Sequence, residues 1–178
     1  MAADMFENAE IPRGALPSVE EVSWQPVARS YLAELLAGHV VGLGIALLVA
    51  FGGTGLGIIA GPGSLPKGIA LYAVVHLLVV AVWSPLSLKH RGYALRQHDL
   101  LYRIGVLRRR LIAIPFNRIQ HVETTSGVTE RLFGLATLVV YTAGGSGGDL
   151  KIRGLETDRA HRLRDHILQR AGQADESG

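Results

Sequence analysis

Two long stretches of this chain contain no Asp, Glu, Lys or Arg, and they constrain its fold more than any other feature. Between Leu35 and Pro66 the only strongly polar titratable residue is His39, and between Gly68 and Leu88 it is His76. About 20 apolar residues cross the ~30 Å hydrocarbon core of a bilayer as a helix, and a helix satisfies its own backbone polar groups there. Two transmembrane helices are therefore expected, near residues 38–58 and 68–88. A buried helix pair in a soluble domain fits less well, because a core helix is rarely uncharged for so long.

Charge orients the pair. The residues before the first span include Asp4, Glu7, Glu10, Glu20 and Glu21 against Arg13 and Arg29, which is unlike the basic start of a cleaved signal peptide. Near the spans, the flanks carry Arg29 on one side and Lys89, Arg91, Arg96, Arg103 and Arg108 on the other, whereas the connection holds Lys67. One plus five against one places both termini in the cytoplasm of a two-span cell-membrane protein, with the turn Gly61 to Pro66 outside. The chain has no cysteine, so disulfides, thiolate metal sites and a cysteine nucleophile are all excluded.

Residues 1–23 read as a mobile acidic tail, with Ser18 and Glu21 spaced as a capping box. Residues 24–88 read as an interfacial segment followed by the two spans. Trp24, Val27 and Tyr31 recur at helical spacing, and Trp and Tyr favour the headgroup level; Glu34 then falls near the cytoplasmic edge. Within the first span Gly38, Gly42, Ala46 and Ala50 repeat every four residues. Such a stripe lets another backbone approach, either the second helix of the same chain or a partner subunit. His39 and His76 are the intramembrane residues able to carry chemistry, which leaves a small transporter subunit as one reading.

From Lys89 the pattern changes. Residues 89–172 read as one basic, strand-rich domain: from Lys89 to Glu176 there are fifteen Lys and Arg against nine Asp and Glu, a balance near plus six. The runs HRGYALRQ, DLLYRIG, VLRRRLIAIP, RIQHVETT, LATLVVYT and DLKIRG read as short strands separated by Gly or polar pairs. VTERLF has room for a turn or two of helix before Gly134, and GGSGGD, Gly144 to Asp149, links two strands. Ala160, Leu163, Ile167, Leu168 and Ala171 share one helical face, with Thr157 placed to cap the start and Gly172 to end it. One such helix closes one open face of a small antiparallel sheet or barrel. Residues 173–178 read as a disordered tail.

In combination these residues resemble a known family. Gly105 at a hairpin, the basic strand after it, IPFNRIQHV at Ile114 to Val122, FGLAT at Phe133 to Thr137, TAGG at Thr142 to Gly145, and Gly154 with Leu155 are similar to the YdbS-like bacterial pleckstrin-homology-like proteins, also called membrane-flanked domain proteins. The resemblance runs from about Trp24 to Ala171. It implies a membrane α-helical hairpin followed by a mainly-β pleckstrin-homology-like barrel with a C-terminal helix, held at the cytoplasmic face. It also implies a membrane protein partner, a larger protein with repeated domains of the same kind, and a link to envelope stress or antimicrobial-peptide resistance. The family has no assigned catalytic residues or cofactors, so none carry over.

The three arginines Arg108, Arg109 and Arg110 sit in an otherwise apolar run. On a strand, Arg108 and Arg110 point one way and Arg109 the other. Together with Arg118 they are candidates for contact with anionic lipid or a partner. Basic residues there also set topology and keep an edge strand soluble, and Arg118 has the option of pairing with a nearby carboxylate. Nucleic acid is disfavoured, because aromatic side chains for stacking bases are few in the basic strands. GGSGGD lacks the Lys and Ser or Thr of a phosphate-binding loop. His161 and His166 are five apart, which splays them on a helix, and His90, His98 and His121 show no ligand spacing. No nucleophile, base and orienting acid assemble, so the expectation is a non-enzymatic binding or scaffolding protein without metal or cofactor.

Overall fold

The computed structural model describes residues 22–55, 65–143 and 150–176. Two helices come first, α1 (Ser30–Gly55) and α2 (Leu65–Lys89). Both are long and apolar enough to cross a membrane, and of their most apolar windows 0% and 11% is buried. Val40, Leu48, Leu78 and Val82 are among the side chains left exposed. A soluble core helix hides that surface, and lipid is the solvent that suits it. α1 begins at Ser30, earlier than the expected span, and residues 56–58 lie outside the described residues. The first turn of α1 lies near the exit of α2, where Arg91 Nη1 donates to the Tyr31 hydroxyl at 3.3 Å.

The strands that follow are those the apolar runs predict: β1 (Gly92–Leu95), β2 (Asp99–Ile104), β3 (Arg110–Pro115), β4 (Ile119–Thr125), β5 (Leu135–Thr142) and β6 (Leu150–Glu156). They form two antiparallel three-stranded sheets, β1-β2-β3 and β4-β5-β6, rather than one closed barrel among the described residues. The division falls where β3 ends. Phe116 N still donates to His98 O at 3.0 Å, but Pro115 has no N–H, and Phe116–Arg118 tightens into a 3-10 turn that delivers the chain to the second sheet.

A short helix, α3 (Val128–Leu132), precedes β5, and Gly134 after it has φ +66°. The last helix, α4 (Thr157–Glu176), starts at the residue expected to cap it but runs past Gly172. Gly172 has no left-handed backbone here, so nothing obliges the helix to stop there. Ala160, Leu163 and Ile167 are buried, while Leu168 of the expected face is largely exposed.

The core lies between the two sheets and α4. Leu100 and Tyr102 of β2, Leu138 and Val140 of β5, Ile152 of β6 and Ile167 of α4 meet there. Leu138 is wholly buried at the centre. Leu138→Ala is expected to cost about 2–5 kcal/mol through lost burial and the cavity left behind, read as a lower denaturation midpoint of the full chain in detergent.

The segment before α1 differs from the interfacial lead that its aromatic spacing suggested. It is not helical: Gln25 pairs with Tyr93 on β1, with N–H···O distances of 2.8 and 3.0 Å, and Ala28 N donates to Gly154 O at 2.7 Å. Val27 and Tyr31 are buried with Leu135, packed by Leu35, Leu88 and Phe133. Arg159 donates to both the Gln25 side-chain oxygen and the Tyr93 hydroxyl. Residues 24–31 therefore strap the strand domain to the foot of α1, because Val27 and Tyr31 bury their side chains against Leu135 and Phe133 of the domain.

Candidate binding surfaces

Two surfaces flank the feet of the helices. The first is the β2–β3 hairpin beside the end of α2. Gly105 turns the chain with φ +108°, and β3 begins only at Arg110, paired with Ile104. Arg108 and Arg109 thus lie in the turn, so the alternation expected of a continuous strand does not hold for them. All three arginines are exposed, as is Leu107 at the tip, at 87%.

Behind the tip a cavity of about 200 Å³ is lined by Lys89, His90, Arg103, Arg109 and Arg110, with Ile104 and Gly105. Among the described residues its lining carries no carboxylate. Arg103 is held by Trp24, whose ring lies 4.5 Å beneath the guanidinium carbon, and its buried Nε has no hydrogen-bond partner. A cation over an indole face is favourable; it also fixes Arg103 in place. Arg118 does not belong to this cluster: it lies beyond the opposite end of β3, exposed, with no ion pair among the described residues. Its backbone oxygen accepts from Ala143 N at 3.0 Å.

The second surface is a polar cleft of about 430 Å³ between the foot of α1, α3 and the outer face of the β4-β5-β6 sheet. Glu34, Glu123 and Glu130 line it with Lys151 and Arg153. Each carboxylate is already engaged. Glu34 accepts from the Thr129 hydroxyl at 3.0 Å, Glu123 from the Tyr141 hydroxyl at 2.8 Å, and Glu130 from the Thr137 hydroxyl at 2.6 Å and Gly127 N at 2.8 Å. That bond from Tyr141 holds its phenol above the ordinary range, and burial does the same for Tyr102 in the core. Lys151 and Arg153 make no ion pair among the described residues. Its described lining is polar, with Thr125, Thr129 and Thr137 beside the charged groups.

Sequence reasoning missed Lys151, Arg153 and the cavity role of Lys89 and Arg103. A signal for the first pair was present: alternation along DLKIRG sends Leu150 and Ile152 inward and Lys151 and Arg153 outward.

Of the membrane residues, His39 and His76 do meet, with ring centroids 5.3 Å apart and Tyr72 stacked on His76 at 5.7 Å. Among the described residues no group of three or more His, Cys, Asp or Glu is arranged to hold a metal. Three of the four small residues of the stripe face away from α2, whereas the fourth, Ala50, is half-buried. Gly38, Gly42 and Ala46 are exposed, and a side chain added at Gly38 or Gly42 meets nothing within 4 Å. The hairpin instead packs along Leu36, Leu43 and Leu47 of α1, which are less exposed than their neighbours, against Ala73, His76, Val80 and Ser84 of α2. Leucine side chains share that less exposed face with Ala50, so Gly38 and Gly42 are not needed in it.

Two apolar helices joined to a two-sheet domain with a closing C-terminal helix define a membrane protein carrying a pleckstrin-homology-like domain. The family described as Bacterial PH domain matches residues 32–171, and the chain belongs to it. It is also 29% identical, over 100 residues, to the UPF0699 transmembrane protein YdbS of Bacillus subtilis (strain 168), a match covering 55% of this chain and 61% of that protein. The chain thus spans less than two thirds of that relative's length. No solved structure matches it.

Proposed function

We propose that this chain is a non-enzymatic scaffolding module of the cell membrane, whose pleckstrin-homology-like domain docks a membrane protein partner at the cytoplasmic face. Both termini are cytoplasmic in this reading, as the excess of Lys and Arg beside the helix ends requires. The observation that carries it is the cleft at the foot of α1, where Lys151 and Arg153 make no ion pair among the described residues, beside three carboxylates engaged by hydrogen bonds. With three carboxylates and two cations the cleft carries mixed charge, which suits a partner segment that presents both signs. A larger membrane protein with repeated domains of the same kind, and a role in envelope stress or antimicrobial-peptide resistance, extend the proposal through the family resemblance.

The test is affinity purification of the tagged full chain from native membranes, beside a Lys151→Glu, Arg153→Glu variant. A stoichiometric partner retained by the parent and lost at least tenfold in the variant is expected; charge pairs at an interface commonly contribute that much or more. Equal recovery from both chains overturns the assignment to the cleft. The basic hairpin favours a second reading, recognition of anionic lipid.

A further inference from the structure

The hairpin cavity lies at one particular depth. Leu88, the last apolar residue of α2, packs with the domain strap, and Lys89 and His90 immediately after it line the cavity. The phosphate layer of a bilayer begins where the apolar run of a spanning helix ends. Basic groups from three separate parts of the chain converge there: Lys89 and His90 from the helix exit, Arg103 from β2, and Arg109 and Arg110 from the hairpin. Residues that only set topology have no need to share one concave site, and Arg103 would have no need of an aromatic platform. The Trp24 ring beneath the guanidinium holds Arg103 in place at this site. Leu107 projects beside them, exposed although it is a large apolar side chain.

We propose that this cavity binds the phosphate of an anionic phospholipid from the bilayer that the chain itself spans, with Leu107 dipping among the acyl chains. The inference deepens the lipid reading of the hairpin and is independent of the partner cleft, which uses other residues. The occupant is lipid because the cavity is continuous with the helix exit, where headgroups are the abundant anions, and because its lining among the described residues lacks any carboxylate that would repel them. Arg109, Arg110, Lys89 and Arg103 supply charge-assisted donors, and Leu107 supplies the apolar contact that strengthens surface attachment. Arg118, at the far end of β3, takes no part.

The absence of cysteine makes the test direct. Leu107→Cys, labelled with an environment-sensitive fluorophore, is introduced into the full chain in nanodiscs of phosphatidylcholine alone or mixed with phosphatidylglycerol, some lipids carrying brominated chains as quenchers. Quenching in the anionic discs that weakens with salt is expected, together with phosphatidylglycerol retained on the chain in native mass spectrometry. Arg109→Gln with Arg110→Gln should lower the anionic preference by about fivefold per charge removed, while Arg118→Gln leaves it unchanged. Inorganic phosphate should not displace the bound lipid. Equal quenching in both disc types, a label that stays aqueous, or displacement by inorganic phosphate overturns the proposal. So does a protein captured through Arg109 and Arg110 while the label remains unquenched. Loss of the partner in the Lys151 and Arg153 variant is scored separately, so failure of one reading leaves the other standing.

Discussion

Gly154→Ala is expected to destabilise the folded chain by about 3 kcal/mol and to release the strap from the domain. Gly154 has φ +77°, a backbone that costs an L-residue about 1–2 kcal/mol. The added methyl would lie 2.4 Å from Cγ and Cδ1 of Tyr31 and 2.9 Å from its Cβ. Tyr31 cannot easily withdraw, being 4% exposed, packed with Val27 and Leu135, and bonded to Arg91. Overpacking of this kind commonly costs a further 1–3 kcal/mol. The same residue's carbonyl accepts Ala28 N, so the clash and the lost hydrogen bond act on one joint. The measurement is thermal unfolding of the full chain in detergent, with limited proteolysis at residues 22–29 as the local readout. A Tyr31→Ala, Gly154→Ala double variant should lose less than the sum of the two single losses, because truncating the ring removes the clash. Parental melting and parental protection of the strap in Gly154→Ala would show that this close approach is not a constraint.

Gly105→Ala should open the basic hairpin without removing a charge. At φ +108° the new Cβ would stand 2.0 Å from Arg108 O and 3.0 Å from Arg108 C. These are backbone atoms of the same turn, with no flexible side-chain end to swing aside. The cost is set by backbone strain of about 1–3 kcal/mol plus the ladder bonds that must break to relieve it. Hydrogen exchange is expected to speed at the pairs Ile104 with Arg110 and Arg103 with Leu111, while β5 and β6 keep their protection. Arg109 and Arg110 then leave the cavity wall, so the anionic-lipid preference should fall as it does in the double glutamine variant. Unchanged exchange at the hairpin would refute the turn geometry, independently of any lipid result.

The two variants bear on features with different visibility in the sequence. Both glycines belong to the motif set that resembles the family, but neither shows by itself what it approaches. Gly105 was legible as a hairpin glycine because it interrupts two apolar runs. That Arg108 and Arg109 fall in the turn depends on where pairing stops, and pairing is a property of two strands rather than one. Gly154 sits inside a strand-like run, and its partner Tyr31 is remote in sequence, with a spacing after Trp24 that also suits the headgroup level. A ring accepts either an interface or a protein groove, and composition alone does not discriminate them.

The same division runs through the rest of the molecule. The absence of charge from Leu35 to Pro66 and from Gly68 to Leu88 determined two helices long and apolar enough to cross a membrane, because burying charge in hydrocarbon costs more than local packing returns. Period-two and helical spacing located six strands and the closing helix, because side-chain direction follows from backbone geometry within each element. Tertiary structure alone decided that Gly38, Gly42 and Ala46 face outward while leucines share the less exposed face with Ala50. It alone brought Lys89 and Arg103 to Arg109 and Arg110, and Glu34 to Lys151 and Arg153. Those groupings join residues far apart along the chain. What brings them together is how the sheets pack on the strap and on the helix feet, a sum of many small contacts that no local pattern records.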